Sequence, residues 1–312
     1  MRALLSPASL KGVLSAARAA AALARGVRAA GSEAEELPVA DGGEGTAEVF
    51  ERAFGGDWRT ADVPDPLGRP IAARWLLLPD GRAVVEAAAA AGLPLLAPTE
   101  QDPLRASSRG LGELLLAALA EGPTAVVVAL GGTATVDGGA GLREVVSELP
   151  VPCVALADVR TSLGDAARVF GPQKGASPAE VVLLDERLSA LEELRPFASL
   201  PGSGAAGGLG AAFAALGAEL LPGAATVLDL IDFDERLARA DLVVTGEGTV
   251  DATTTDGKAP GEVAQRAAAG GVRCIVFGGL VREEIPGAET VALSGDASRA
   301  EDDLVDLGRR IA

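Results

Sequence analysis

Residues 124–141 read TAVVVALGGTATVDGGAG. The first seven form an unbroken apolar run rich in β-branched side chains. Such a run predicts a strand covered on both faces, as strands of parallel sheets are. The next eleven hold five glycines, two threonines and Asp137. Glycine lets the chain turn sharply as the strand ends, and the carboxyl end of a strand is where open α/β sheets bind ligands.

Outward from this stretch the same pattern recurs. Strand-like runs lie at RALLS (2–6), ELPVA (36–40), IAARWLLL (71–78), RAVVEA (82–87), VPCVALA (151–157), DLVVTG (241–246), VRCIVF (272–277) and ETVAL (289–293). Helical stretches lie at 13–30, 44–54, 110–121, 178–194, 207–218, 233–239, 260–269 and 300–310. The alternation predicts an α/β fold class, with two α/β domains of mostly parallel sheets, and 312 residues leave room for both. DVPDPLGRP (62–70) and LLPGAATVLDL (220–230) read as crossings between them. The expected division is a discontinuous Rossmann-like domain, 1–62 plus 228–312, with an inserted α/β domain over 63–227.

Composition removes several chemistries. Acidic residues outnumber basic ones 44 to 27, a net charge of −17, which disfavours nucleic acid and anionic membranes as partners. There is no histidine, so histidine bases, Ser-His-Asp systems and His-held zinc are excluded. Cys153 and Cys274 sit in apolar runs far from any CxxC spacing, as reduced core thiols of a cytoplasmic protein would. The start, MRALLSPASLKG, shows no signal peptide. The uncharged stretch 196–218 carries six glycines and two prolines and reads as a Gly-rich turn opening a helix, not a membrane span.

What remains is Asp, Glu, Lys, Arg, Ser, Thr and backbone amides. Only three of the 27 basic residues are lysine: Lys11, Lys174 and Lys258, each in a polar or Gly-containing segment. In a chain so biased to arginine, a retained lysine marks a place that needs a compact ammonium. Four strand-to-loop junctions pair glycines or hydroxyls with an acid. They hold Asp41, Gly42, Gly43 and Glu44; then Gly131, Gly132, Thr133 and Asp137; then Asp158; then Gly246, Glu247 and Asp251. Glycine amides cradle phosphate, carboxylates bind Mg²⁺ as hard oxygen ligands, and an ammonium completes the equipment of phosphoryl transfer. Two look-alikes fail. Gly202, Gly204 and Gly207 match GxGxxG but follow no convincing strand, and Ala252 and Ala259 break a phosphate-loop pattern around Lys258.

Taken together, SPASLKGVLSA, ADGGEGT, PLGRPI, GLGELL, LGGTATVDGGAG, ALADV, VFGPQKGA, PGSGAAGGLGAAF and ADLVVTGEGTVDATTTDGKAP, in this order, resemble the bacterial type II glycerate kinases (the glycerate 2-kinase family). The resemblance runs from about residue 3 to 280. It implies ATP-dependent phosphorylation of D-glycerate with Mg²⁺, at a cleft between two α/β domains. It assigns catalysis to Lys11, Asp137, Asp158 and Lys174, with Asp137 or Asp158 as the base. Substrate and nucleotide binding fall to Asp41, Gly42, Gly43, Glu44, Gly131, Gly132, Thr133, Gly246, Glu247 and Lys258, and Mg²⁺ to Asp158, Glu247 and Asp251. Lys11 and Lys174 are expected on the transferring phosphate or the glycerate, Lys258 on the nucleotide side, and Arg105, Arg109 or Arg160 on the substrate carboxylate. The oligomeric state is left open, a homo-oligomer included.

The chain departs from the family's usual motifs. Ala8 and Leu10 replace Asp and Phe, Val136 replaces Asn, Arg109 and Leu111 change YGTGEL to RGLGEL, and Arg160 lies in an altered CDVxNPL. The connection between 138–142 and 153–159 is also much shorter. Three readings therefore stand: an active glycerate kinase, a kinase for another small hydroxy acid, or a homologue without turnover that binds ligands or regulates.

Overall fold

The computed structural model describes residues 1–255 and 257–312. Among them the chain forms eleven strands: β1 (Arg2–Leu5), β2 (Glu33–Glu36), β3 (Asp57–Pro64), β4 (Pro70–Leu77), β5 (Arg82–Glu86), β6 (Ala125–Ala129), β7 (Cys153–Ala157), β8 (Glu219–Pro222), β9 (Leu242–Val250), β10 (Arg273–Val281) and β11 (Glu289–Ala292). They divide between two compact units. The first comprises Met1–Asp41, Glu48–Ala53 and Ala224–Ala312, and the second Gly42–Ala47 and Phe54–Gly223.

The first unit carries a five-stranded sheet in the order β11-β10-β9-β1-β2, with every pairing parallel. β1 pairs with β9, so the two ends of the chain share one sheet. Leu5, Val244, Ile275 and Phe277 are fully buried in a core with Leu23 and Leu304. Those last two come from the helices Ala16–Ala29 and Ala300–Ile311. These helices approach so closely that a Cβ on Gly26 would stand 2.1 Å from the Val305 carbonyl oxygen, and one on Gly308 2.4 Å from that of Leu23. Only glycine permits that crossing.

The second unit carries a six-stranded sheet in the order β3-β4-β5-β6-β7-β8. β5 through β8 pair in parallel, while β3-β4 and β4-β5 are antiparallel. Trp75, Val85, Leu114, Val128 and Phe213 fill its core. Both tryptophans, Trp58 and Trp75, belong to this unit.

Three expectations need correction. The stretch 62–70 is not a crossing: β3 pairs with β4 along its whole length, and the connecting turn is tied by Asp65, whose carboxylate accepts from the backbone N–H groups of Leu67 (2.8 Å) and Arg69 (2.9 Å). β3 therefore belongs to the second unit's sheet, and the boundary expected at residue 62 falls before it. β3 is polar on most positions because it is an edge strand. Second, residues 36–40 contribute only Glu36 to a strand. β2 reads EAEE, a charged edge whose Glu35 pairs with Arg2 and Arg236 and whose Glu36 pairs with Arg28 and Arg52. Third, the crossing expected over 220–230 starts later than its first residue: residues 220–222 belong to β8, paired with β7, and the division between the units falls after them, between Gly223 and Ala224.

No helix among the described residues is long and apolar enough to cross a membrane. Within 196–218 the helix Ala205–Ala215 is broken by left-handed backbone at Ala206, Gly207 and Gly208. Cys153 and Cys274 are free and buried, and burial pushes both thiols up to about 12.

Candidate active site

In the second unit the expected residues gather at the carboxyl ends of β6 and β7. Gly131 leaves β6 and donates its amide to the Gly42 carbonyl (3.2 Å). A Cβ on Gly131 would stand 2.6 Å from the Gly43 Cα and 3.6 Å from Asp158 Oδ2, so the two Gly-Gly turns and the aspartate after β7 meet only because no side chain intervenes. Gly132 is exposed with φ +80°, and Glu44 is exposed near it. Thr46 closes the first turn by donating its hydroxyl to the Gly43 carbonyl (2.6 Å) and opens the helix Thr46–Phe54.

Lys174 is the buried member, 4% exposed. Its Nζ donates to the Thr135 carbonyl (2.7 Å) and to Thr133 Oγ1 (3.1 Å), and it lies 5.7 Å from the centre of the Phe170 ring. Burial pushes the Lys174 ammonium down to about 7, against the negative charge of Asp137 and Asp158, which holds it up. A neutral amine still has two N–H donors for these two acceptors, so the brace survives deprotonation.

Asp137 has a structural task. Oδ2 accepts from the Ser108 amide (2.9 Å), the Ser108 hydroxyl (2.7 Å) and the Gly141 amide (3.2 Å), and Oδ1 from the Gly139 amide (3.1 Å). Ser108 directly precedes the helix Arg109–Ala120 and its hydroxyl oxygen accepts from the Leu142 amide (3.0 Å), so one carboxylate ties the loop after β6 to a helix start. Asp137→Ala should lower the second unit's stability by about 2 kcal/mol, since Asp137 is half-buried and water reaches some of the freed donors. Denaturant unfolding followed by tryptophan fluorescence checks this.

The failed GxGxxG segment proves to be a prop for the same loop. Gly207 accepts from the Gly138 amide (3.0 Å), and a Cβ on it would stand 2.1 Å from the Thr135 carbonyl oxygen. Backbone packs on backbone there, which explains the glycines without a dinucleotide.

The first unit holds the rest. Glu247, in β9, accepts from the Thr254 hydroxyl (2.8 Å) and sits 3.5 Å from Lys258 Nζ. Burial lifts the Glu247 carboxyl above its ordinary range; Thr254 and Lys258 pull it back, and the charge of Asp41 adds to the rise. Asp251 accepts from the Thr253 amide (3.0 Å) and hydroxyl (2.6 Å), which hold its carboxyl low. Lys258 stands at the start of the helix Ala259–Gly270, whose first turn carries Pro260. Gly246 is a packing glycine, since a Cβ there would stand 2.2 Å from the Phe277 carbonyl oxygen. Lys11 is exposed on the Leu10–Leu14 turn, where a Cβ on Gly248 would stand 3.9 Å from its amide nitrogen. Among the described residues no three Cys, Asp or Glu side chains form a metal-holding cluster. Of the expected Mg²⁺ ligands, Glu247 and Asp251 lie in the first unit and Asp158 in the second.

The glycerate kinase family model matches residues 3–148 and 147–299. The chain belongs to the glycerate kinase family. It is 39% identical to the glycerate 2-kinase of Escherichia coli K12, over 83% of this chain and 80% of that one. It is 36% identical to the glycerate kinase of Bacillus subtilis 168, over 91% and 86%. The crystal structure of a candidate glycerate kinase 2 from Salmonella typhimurium LT2 superposes with a TM-score of 0.85 at 32% identity, covering all of this chain and 97% of that one. The two family matches meet at 147–148, inside the shortened connection.

Membership makes the departures readable. Leu111 and Val136 are buried in apolar clusters, Leu111 with Leu114 and Phe213, Val136 with Leu163 and Leu184. A glycerate kinase can change such positions by repacking. Arg109 pairs with Glu113 (2.8 Å) and Glu144 (3.0 Å), so its guanidinium is engaged at a helix start and not held for a substrate carboxylate. Arg105 and Arg160 are exposed and make no ion pair among the described residues. Ser108 and Thr254 were not among the expected site residues. Ser108 carried a detectable signal, a serine directly before a helical pattern. Thr254 lies seven residues after Glu247, and its hydroxyl oxygen also accepts from the Asp251 amide (3.1 Å), the local pairing of a short helical turn.

Proposed function

We propose that this protein transfers the γ-phosphoryl group of ATP to a hydroxyl of D-glycerate, with Mg²⁺. The observation that carries the reading is the meeting of Gly43, Gly131, Asp158 and Lys174 at the ends of β6 and β7, in a member of the glycerate kinase family. The glycerate hydroxyl attacks the γ-phosphorus, the bond to the β,γ-bridging oxygen breaks, and ADP leaves. Asp158 accepts the hydroxyl proton, because histidine is absent and Asp137 is committed to four donors. Arg160, two residues on, holds the carboxylate, and Lys11 and the Gly131–Gly132 turn serve the phosphate.

The residues fit Mg²⁺ by their chemistry. Glu247 and Asp251 of the first unit offer hard oxygens, and Ser6 Oγ, just past β1, and Thr245 Oγ1, within β9, are buried hydroxyls without a partner among the described residues. Thr245 shares a strand face with Glu247. When bound, Mg²⁺ neutralises phosphate charge. The packing of Leu111 and Val136 in apolar clusters supports the reading with turnover, since these two departures fill core positions. Mixing the protein with Mg-ATP and D-glycerate should release ADP only when glycerate is present. ATP binding without ADP release across a panel of small hydroxy acids would overturn the proposal, and release with another acid alone would move it to that acceptor.

A further inference from the structure

The first unit's parallel sheet ends in a pocket of 290 Å³, of whose lining the steps above use only Lys11. Gly248 of β9, Gly279 and Leu280 of β10 and Leu293 just past β11 line it, so it opens at the carboxyl ends of adjacent strands. The Leu10–Leu14 turn closes one side, and the start of the helix Ala300–Ile311 another. Val13 and Leu280, in its walls, are 37% and 48% exposed, two large apolar side chains left without a cover. A Cβ on Gly248 would stand at ordinary contact distance, 3.8 Å from the Leu10 Cα and 3.9 Å from the Lys11 amide nitrogen, so a branched side chain there has to take up room in the pocket it lines.

The polar groups are few. Asp296 and Asp303 already accept from Ser298 and Ser294. A carboxylate has about four acceptor sites, so each can take a further N–H or O–H. Lys11 supplies the pocket's cation. Two carboxylates repel phosphate and an ammonium attracts it, so a ligand with one phosphorylated end has a preferred direction. Glycerate does not suit this place, being a three-carbon acid with no apolar face to bury. A flat heteroaromatic ring does: it has two apolar faces, an edge of donors, and a size matched to the small end of ligand pockets.

We propose that this pocket holds the adenine ring of ATP, between Leu280 and Val13 on one side and the Gly248–Gly279 backbone on the other. The proposal rests on the phosphoryl-transfer reading above, and it places Glu247, the β9 neighbour of Gly248, next to the base, with Lys258 3.5 Å from the Glu247 carboxylate. The test is calorimetric binding of ATP, and of adenosine, to the whole protein without glycerate. Leu280→Ser removes an apolar wall, and Gly248→Val fills the space that the ring would occupy. Each should weaken ATP binding at least about tenfold, the equivalent of about 1.4 kcal/mol, and abolish adenosine binding. The KM for ATP should rise in both, and the KM for glycerate should hold. ATP affinity within about twofold of wild type in both variants, with unfolding midpoints unchanged, overturns the pocket assignment. If wild type binds ATP and adenosine, both variants lose them, and no hydroxy acid is phosphorylated, the pocket stands and the reaction falls. Glycerate turnover with an unaltered KM for ATP in both variants means the reverse.

Discussion

Asp158→Asn is expected to slow glycerate-dependent ADP release by about 10²–10⁴-fold, the range general-base removal produces. The amide keeps the size of the side chain but cannot accept the hydroxyl proton. Asp158 is exposed at the end of β7, so the substitution leaves the apolar core untouched. The KM for ATP should change little, which separates a proton-transfer role from a binding one. A variant retaining more than about a tenth of wild-type turnover would remove Asp158 as the base. Asp137→Asn is not equivalent: it would set an amide N–H against donors already committed to that carboxylate, and its loss of activity would travel with a loss of stability.

Lys174→Met should reduce turnover on the order of a hundredfold or more, because the loop carrying Gly131, Gly132 and Thr133 loses its brace and Asp158 loses a buried cation that interacts with it. Methionine nearly matches the volume and leaves the Thr135 carbonyl without its donor. The same residue gives a pH signature. Its folded pKa, about 7, lies far below the ordinary 10.5, so between those values the unfolded chain holds a proton that the folded chain has released. Stability therefore rises with pH above about 7, and is lost as pH falls through it. Between pH 7 and 8 the gain should be about 1 kcal/mol in wild type and absent in Lys174→Met. Above that window the buried thiols work the opposite way, because the unfolded chain loses thiol protons that the folded chain keeps up to about 12. Trp58 and Trp75 both report on the unit that holds Lys174, so fluorescence-detected unfolding reads the effect directly. A flat wild-type profile over this window would mean that Lys174 stays charged in the folded protein.

Local pattern alone carried the parallel α/β character, the positions of most strands and the places where glycines follow them. These are local properties: an apolar run of five to eight residues ending in glycine needs no distant partner to be read. Motif order sufficed for the family, and the arginine bias singled out Lys174. What lay beyond local pattern was decided by contacts between segments far apart in the chain. Lys174 reads as a loop lysine, yet Thr133 and Thr135, 41 and 39 residues earlier, turn it into a buried brace. Asp137 reads as a base, until Ser108, 29 residues earlier, occupies it. The polar edge strands β2 and β3 lack the apolar period because one side of each faces no neighbour, and only their pairing with β1 and β4 makes them strands. Gly207 completes a nucleotide motif in one dimension and packs its backbone on residues 135, 136 and 138 in three. Burial and hydrogen bonding set the pKa and the reach of each site group, and both depend on which segments the fold brings together.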